Sequence, residues 1–256
     1  MLDAGSLYGK RNHKCRENLE ESRQKNSQLL GVTPQNKSQG YNMFEKAIDG
    51  QMLRVITLLG DKLPEEMRDF YLAGGTALSL QLGHRKSADL DFFSKNDFNN
   101  ELMKQKLFSI PENEIKMFTD EKNTLKVSVN GIFVSFFHYP YKLLKSTIGW
   151  NGIELASLED IACMKIIAIS QRAEKKDFFD LHEIIKSLSP ERIKTLLMEK
   201  YGKDRLNCYH LLRSIFFFDD AENTPEPVSL NKTSWNMVKK SLRKTEKSLS
   251  KSFLKC

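Results

Sequence analysis

Phe70 to Ser94 reads FYLAGGTALSLQLGHRKSADLDFFS, and the parsing of this stretch decides the fold. Tyr71, Leu72 and Ala73 run apolar into Gly74-Gly75, the pattern of a short strand entering a tight turn. Thr76 is placed to cap a helix through Ala77, Leu78 and Leu80, which Gly83 then stops. A basic loop, His84-Arg85-Lys86-Ser87, leads into Ala88-Asp89-Leu90-Asp91-Phe92-Phe93, a second strand. Successive side chains alternate faces in a strand, so Asp89 and Asp91 share one face while Leu90 and Phe92 take the other. Free N–H groups at a helix start, reached through a Gly-Gly turn, let a phosphate approach the backbone closely. Two neighbouring carboxylates repel unless a cation lies between them, and paired hard oxygens suit Mg²⁺ or Mn²⁺. Alone, the glycines read as an ordinary turn and the acids as a solvated strand edge. Their order on a strand–turn–helix–strand, fifteen residues from Gly74 to Asp89, gives the combination its weight.

Those residues resemble the GG[ST]…DxD signature of the polymerase-β-like nucleotidyltransferase superfamily. More narrowly, GGTALSLQLGHRKSADLDFF is similar to the AbiEii/AbiGii toxin family, the nucleotidyltransferase toxins of bacterial abortive-infection and toxin–antitoxin systems. A second block resembles the same family: K-x-x-A-x-x-x-R-x-x-x-K-D-x-x-D-L, matched by Lys165, Ala168, Arg172, Lys176, Asp177, Asp180 and Leu181. The resemblance spans roughly Met43 to Leu242. It implies an α+β fold, with a mixed sheet and packed helices followed by a mostly helical C-terminal half. The expected organisation is a nucleotidyltransferase core over 43–150 and a helical region over 151–256.

Composition sets the outer limits. Hydrophobic residues make up 40% of 256, which suits a globular protein with a real core. No apolar run approaches the roughly eighteen residues needed to cross a bilayer, and the N-terminus lacks the apolar stretch of a signal peptide. Cys15, Cys163, Cys208 and Cys256 are scattered without metal-ligand spacing, so reduced thiols and a cytoplasmic location are expected. A net charge of +7 and a pI near 9.1 fit a polyanionic partner, and equally a lysine-rich composition with no such meaning. Residues 1–42 are polar and without period. They read either as a disordered tail or as a non-native extension ahead of a natural start at Met43.

Apolar spacing predicts a helix from Phe44 to Gly60, a short one after Leu63-Pro64, and another from Asp97 to Phe108. Leu125–Val129 and Ile132–Tyr139 flank Asn130-Gly131, a strong hairpin signal. Polymerase-β-like enzymes usually carry a third carboxylate on such a strand, but IFVSFFHY has none, and Ser135 stands where it is expected. Three outcomes stay open: another acid completes the site, two carboxylates suffice, or the site is degenerate. Ser157-Leu158-Glu159-Asp160 opens a helix with a capping-box pattern. On it Lys165 and Arg172 share a face, and Asp177 and Asp180 share one further on. Helices follow over Pro190–Lys200, Leu206–Phe218 and the basic stretch Trp235–Lys255. That last stretch reads as a solvated face before an RNA-binding one.

Under the resemblance Gly74, Gly75 and Thr76 cradle a nucleoside triphosphate, and Asp89 and Asp91 hold Mg²⁺ or Mn²⁺. Lys165 pairs with the triphosphate. Asp180 orients Lys165 or supplies the third acid, with Asp177 as the alternative. Arg85 meets phosphate, while His84 is structural. The reaction expected is NMP transfer from an NTP to an RNA 3′ end, tRNA favoured, or to a protein hydroxyl. The partner expected is a cognate antitoxin encoded nearby. The rival readings are a degenerate nucleotide- or RNA-binding module and a metabolic small-molecule transferase.

Overall fold

The computed structural model describes residues 42–253, so expectations for 1–41 and for the last three residues lie outside it. Seven strands form one mixed sheet in the order β3-β4-β5-β2-β1-β7-β6. They are β1 (Tyr71–Leu72), β2 (Asp89–Ser94), β3 (Ile115–Glu121), β4 (Thr124–Val129), β5 (Ile132–His138), β6 (Ile148–Trp150) and β7 (Ile153–Leu155). Strand β2 runs parallel to β5 and antiparallel to β1, and β1 runs parallel to β7. The α+β expectation is met.

The hairpin expected at Asn130-Gly131 forms, with both residues at positive φ (52° and 84°), as a two-residue primed turn requires. A second hairpin of the same kind, β6–β7, turns at Asn151 and Gly152 (φ 47° and 77°). Reading of the sequence missed it because each arm is only three residues long. The boundary expected at 150/151 falls on this turn, between two strands of the same sheet. Strand β3 was missed too, because its exposed residues show no alternation.

Helix α1 (Gly50–Lys62) starts later than predicted. The expected helix from Phe44 breaks at Ile48, which is extended, and restarts where the Asp49 carboxylate accepts from the Met52 N–H at 2.7 Å. After a helical turn at Pro64–Met67 come α2 (Gly74–Leu82) and α3 (Asn100–Phe108). Beyond the sheet follow α4 (Leu158–Gln171), α5 (Lys175–Ile184), α6 (Pro190–Tyr201), α7 (Cys208–Phe216) and α8 (Trp235–Phe253). The sheet's inner face supplies Leu90, Phe92, Leu125, Val127, Val134 and Phe136, all fully buried. Phe92 stacks on Phe136 with ring centroids 5.6 Å apart. Because that face must be inside, alternation turns Asp89 and Asp91 to the opposite side.

Asp160 does more than cap. Ser157 accepts from its N–H at 3.1 Å, and its buried carboxylate takes the Leu144 N–H and the Lys200 ammonium, fixing the loop before β6. Cys163 is a buried free thiol whose pKa burial pushes up to about 12. Among the described residues no helix is long and apolar enough to cross a membrane.

Helix α1 meets the β6–β7 turn backbone to backbone. A Cβ on Gly60 would lie 2.7 Å from the Asn151 carbonyl oxygen and 2.9 Å from the Gly152 Cα. Gly→Ala inside a helix normally stabilises by about 0.5–1 kcal/mol, but overpacking costs about 1–3 kcal/mol. Gly60→Ala is therefore expected to lower the urea midpoint, whereas Gly50→Ala, with its nearest neighbour 3.7 Å away, should not. Equal behaviour of the two variants would show that the turn yields freely.

Candidate active site

Ala73, not Thr76, is the N-cap of α2, and the helix begins at Gly74. Gly74 has φ +68°, and a Cβ there would stand 3.5 Å from the Asp91 carboxylate, so the turn passes directly against that acid. The Ala73 N–H donates to the Asp91 carbonyl at 3.0 Å, locking turn and strand together. Thr76 is buried in the first turn, and its hydroxyl bonds the Asp89 carbonyl and the Ser87 hydroxyl. The expected capping role is thus corrected: Thr76 ties the helix to the strand that bears the acids. Gly83 ends the helix in the left-handed conformation, as expected.

Asp89 is exposed and Asp91 half-buried on the same face of β2. In register on β5 they meet Phe133 and Ser135, so a serine does stand beside Asp91. One strand further Lys126 pairs with Ser135. Burial first, and the Asp89 charge second, push the Asp91 pKa up, while Lys165, Arg172 and Lys176 only partly offset this. A divalent cation beside the two carboxylates would relieve the repulsion that the Asp89 charge exerts on Asp91. Among the described residues no group of three or more His, Cys, Asp or Glu side chains forms a complete metal cage.

Behind the acids lies a buried charge cluster. Lys165 is 3% exposed, and its ammonium donates to Asp177 at 2.8 Å and pairs with Asp180 at 2.6 Å. Asp180, wholly buried, also accepts from Arg85 Nε at 2.6 Å and Nη2 at 2.8 Å, and meets His84 Nε2 at 2.7 Å. Asp177 takes two bonds from Arg172, at 3.0 and 3.1 Å. Burial works against every charge here. Even so, Lys165 and then Arg85 hold the Asp180 carboxyl well below the usual range, and Lys165 with Arg172 lowers Asp177. Burial likewise opposes the Lys165 charge, but Asp180 and Asp177 outweigh it and raise its pKa.

This arrangement redistributes the expected roles. Arg85 is directed inward, onto Asp180 and the Lys86 carbonyl, rather than toward an open phosphate site. Gly75 makes room for it, since a Cβ there would fall 2.2 Å from Nη2. The anions beside Lys165 are Asp177 and Asp180, so its burial needs no bound nucleotide. Asp177 and Asp180 have their oxygens committed to cations. The partly exposed cations whose charge acts on Asp91 are Arg172 and Lys176, neither singled out as a site residue from the sequence. Their signal was present in the second block, one turn and less from Asp177. Arg172 also lines a cavity of about 390 Å³ with His210, Arg213 and Phe217. The loop at 84–86 is held from outside by residues 228–230, through Lys86 N–H to the Val228 carbonyl and Leu230 N–H to the His84 carbonyl, both 2.8 Å.

The model of one protein family, described as "Nucleotidyl transferase AbiEii toxin, Type IV TA system", matches residues 57–254. An uncharacterized protein of Aquifex aeolicus (strain VF5) is 36% identical over 159 residues, 60% of this chain and 75% of that one. Among solved structures, MenT4, a nucleotidyltransferase toxin from Mycobacterium tuberculosis H37Rv, superposes with a TM-score of 0.51 at 15% identity, covering 77% of this chain and 82% of that one. JHP933 from Helicobacter pylori gives 0.47 at 19% identity, over 80% and 91%. The likeness to MenT4 shows a shared fold.

Removing one charge from the cluster should be costly. Asp180→Asn leaves Lys165, Arg85 and His84 with a neutral partner, and breaking such a buried pair costs about 3–5 kcal/mol. Because the folded pKa of Asp180 lies below its unfolded value of about 3.9, its contribution is present above that pH and is lost as pH falls toward the folded pKa. Urea denaturation at neutral pH should show the loss, and the variant should show a shallower further decline below about pH 4. A loss under about 1 kcal/mol would mean the cluster relaxes without cost.

Proposed function

The chain belongs to the AbiEii nucleotidyltransferase toxin family of type IV toxin–antitoxin systems, and on that premise we propose that it transfers an NMP from an NTP to an RNA 3′ end. A tRNA end is the favoured acceptor. The observation that carries the reading is Asp89 and Asp91 on one face of β2, with Asp91 against the glycine turn and in the field of Lys165, Arg172 and Lys176.

In this reading Asp89 and Asp91 hold Mg²⁺ or Mn²⁺, which when bound neutralises phosphate charge. Gly74 and Gly75 offer backbone N–H groups at the start of α2 to the triphosphate. Arg172 and Lys176 supply the outward positive charge, while Lys165, held by Asp177 and Asp180, fixes their helices and adds its field from behind. Arg85 and His84 position Asp180. The acceptor hydroxyl oxygen attacks the α-phosphorus as the bond to the β-phosphate oxygen breaks. Pyrophosphate leaves, and the hydroxyl proton passes to the carboxylate pair. The cavity beside Arg172 suits the nucleoside of the donor by size and by its Phe217 wall. As a toxin of this family the protein acts in the bacterial cytoplasm, in abortive infection against phage, restrained by a cognate antitoxin encoded nearby.

Label transfer tests the reading. Purified protein, Mg²⁺, each labelled NTP in turn and total RNA plus lysate protein as acceptors should label an RNA band. Asp91→Ala should abolish the signal, a fall of at least about a hundredfold. Label on a protein band would move the acceptor to a protein hydroxyl. No transfer with any NTP, with nucleotide or RNA binding unaffected by Asp91→Ala, would leave a binding module whose serine at 135 marks a lost acid.

A further inference from the structure

The outer face of the sheet continues past the acids. In register with Asp89 stands Phe133, 52% exposed. Two strands beyond, Phe118 is 57% exposed, and its ring lies 5.2 Å from that of Phe133 at an angle of 49°. A β-bulge between Met117 and Thr119 makes Phe118 the extra residue of its strand, a device that re-aims side chains. Nothing in the sheet's core needs these rings, because Val127, Val134 and Phe136 already fill the opposite face. On β4, the strand between those that carry the two rings, Lys126 is exposed, packs over the Phe137 ring at 5.6 Å, and makes no ion pair among the described residues.

Resting on the transferase reading above, we infer that this face is the acceptor platform: Phe133 and Phe118 stack the last unpaired bases of a single-stranded RNA, and Lys126 meets its backbone phosphate. Two tilted aromatic rings beside an exposed lysine on open strands match how single-stranded nucleic acid is held, by base–ring stacking beside positive charge. The register supplies the proximity, and the transferase reading, which needs the 3′ hydroxyl at the acids, supplies the direction. Adjacent strands lie about 4.8 Å apart, so a base on Phe133 puts the terminal ribose one strand from Asp89 and Asp91. The RNA therefore enters with its 3′ end toward the acids. The negative backbone complements Lys126, and the exposed apolar area is aromatic and small, unlike the broad patch a second protein chain would cover.

Binding of a fluorescein-labelled single-stranded RNA of about eight nucleotides with a free 3′ hydroxyl reads this directly, without turnover. Phe133→Ala and Phe118→Ala are each expected to weaken it about five- to a hundredfold, while Phe133→Tyr retains it. Lys126→Glu should weaken it and reduce the salt slope by about one charge. Both rings are exposed, and unchanged thermal melts would show that the variants fold. Full affinity in the Phe118→Ala/Phe133→Ala double variant overturns the platform. So does a protein acceptor labelled by a chain that does not bind the RNA. The two readings separate cleanly. If the native chain labels RNA and the double variant does so with unchanged acceptor KM, the platform is wrong and the transferase stands. If the double variant loses RNA affinity but the native chain transfers from no NTP, the platform stands and the transferase falls.

Discussion

Lys165 between Asp177 and Asp180 is the interaction on which the remaining geometry hangs, because each of the three would be prohibitively expensive to bury alone. Placing one ammonium between two carboxylates leaves a negative excess, which Arg85 and Arg172 remove from opposite sides. The cluster then carries one surplus positive charge. Arg85 is buried whereas Arg172 is half-exposed, so the surplus is presented outward, toward Asp91. The cluster thereby joins four pieces of chain distant in sequence: the loop after α2, helix α4, the turn at Arg172 and helix α5. Local propensity accounts for each helix, but only this shared charge network dictates their mutual registration.

The sheet answers a different demand. Its inner face is chosen by Leu90, Phe92, Val134 and Phe136, and alternation leaves no freedom about where Asp89, Asp91, Ser135 and Lys126 point. Across β2, β5 and β4 the row runs carboxylate, hydroxyl, ammonium. A third acid at 135 would deepen the negative well that already raises Asp91. A serine leaves that well shallower, and a lysine one strand on reverses the sign of the field. The transition from an acidic to a basic surface is therefore completed within about two strand spacings, roughly 10 Å, about one Debye length at physiological salt.

Much of this was legible before any coordinates. The strand–turn–helix–strand from Tyr71 to Ser94 could be read because its punctuation is local: glycines at positive φ, an apolar alternation, a left-handed stop at Gly83. The Asn130-Gly131 hairpin was legible for the same reason. What escaped was set by distant partners. Gly75 looks like a phosphate-binding glycine, yet it is also the only residue that admits Arg85, ten positions later in sequence. Arg85 looks like a surface cation in a basic loop, yet it is buried because Asp180 waits for it. Thr76 looks like a cap, but the helix begins two residues earlier, where glycine can take the turn. The β6–β7 hairpin carries its Asn-Gly turn but has arms too short to show a period.

The proposed donor and acceptor sides follow from how charge is apportioned around Asp89 and Asp91. A triphosphate carries several negative charges within a few ångströms and needs concentrated, fixed cations. The wall formed by Arg172 and Lys176, backed by Lys165, offers these at no cost of ordering, because ion pairs to Asp177, Asp180 and Glu174 already hold them in place. An RNA strand carries one charge per nucleotide and presents a ring with each, so two aromatics beside Lys126, which makes no ion pair among the described residues, suit it better than a cationic wall would. Exchanging the two surfaces would fail on both sides. Phosphates laid on Phe133 and Phe118 would be desolvated without partners, and the positive wall of Arg172 and Lys176 would lack the triphosphate charge it is suited to neutralise. The acids sit at the boundary between the two surfaces, where the proposed donor and acceptor would meet.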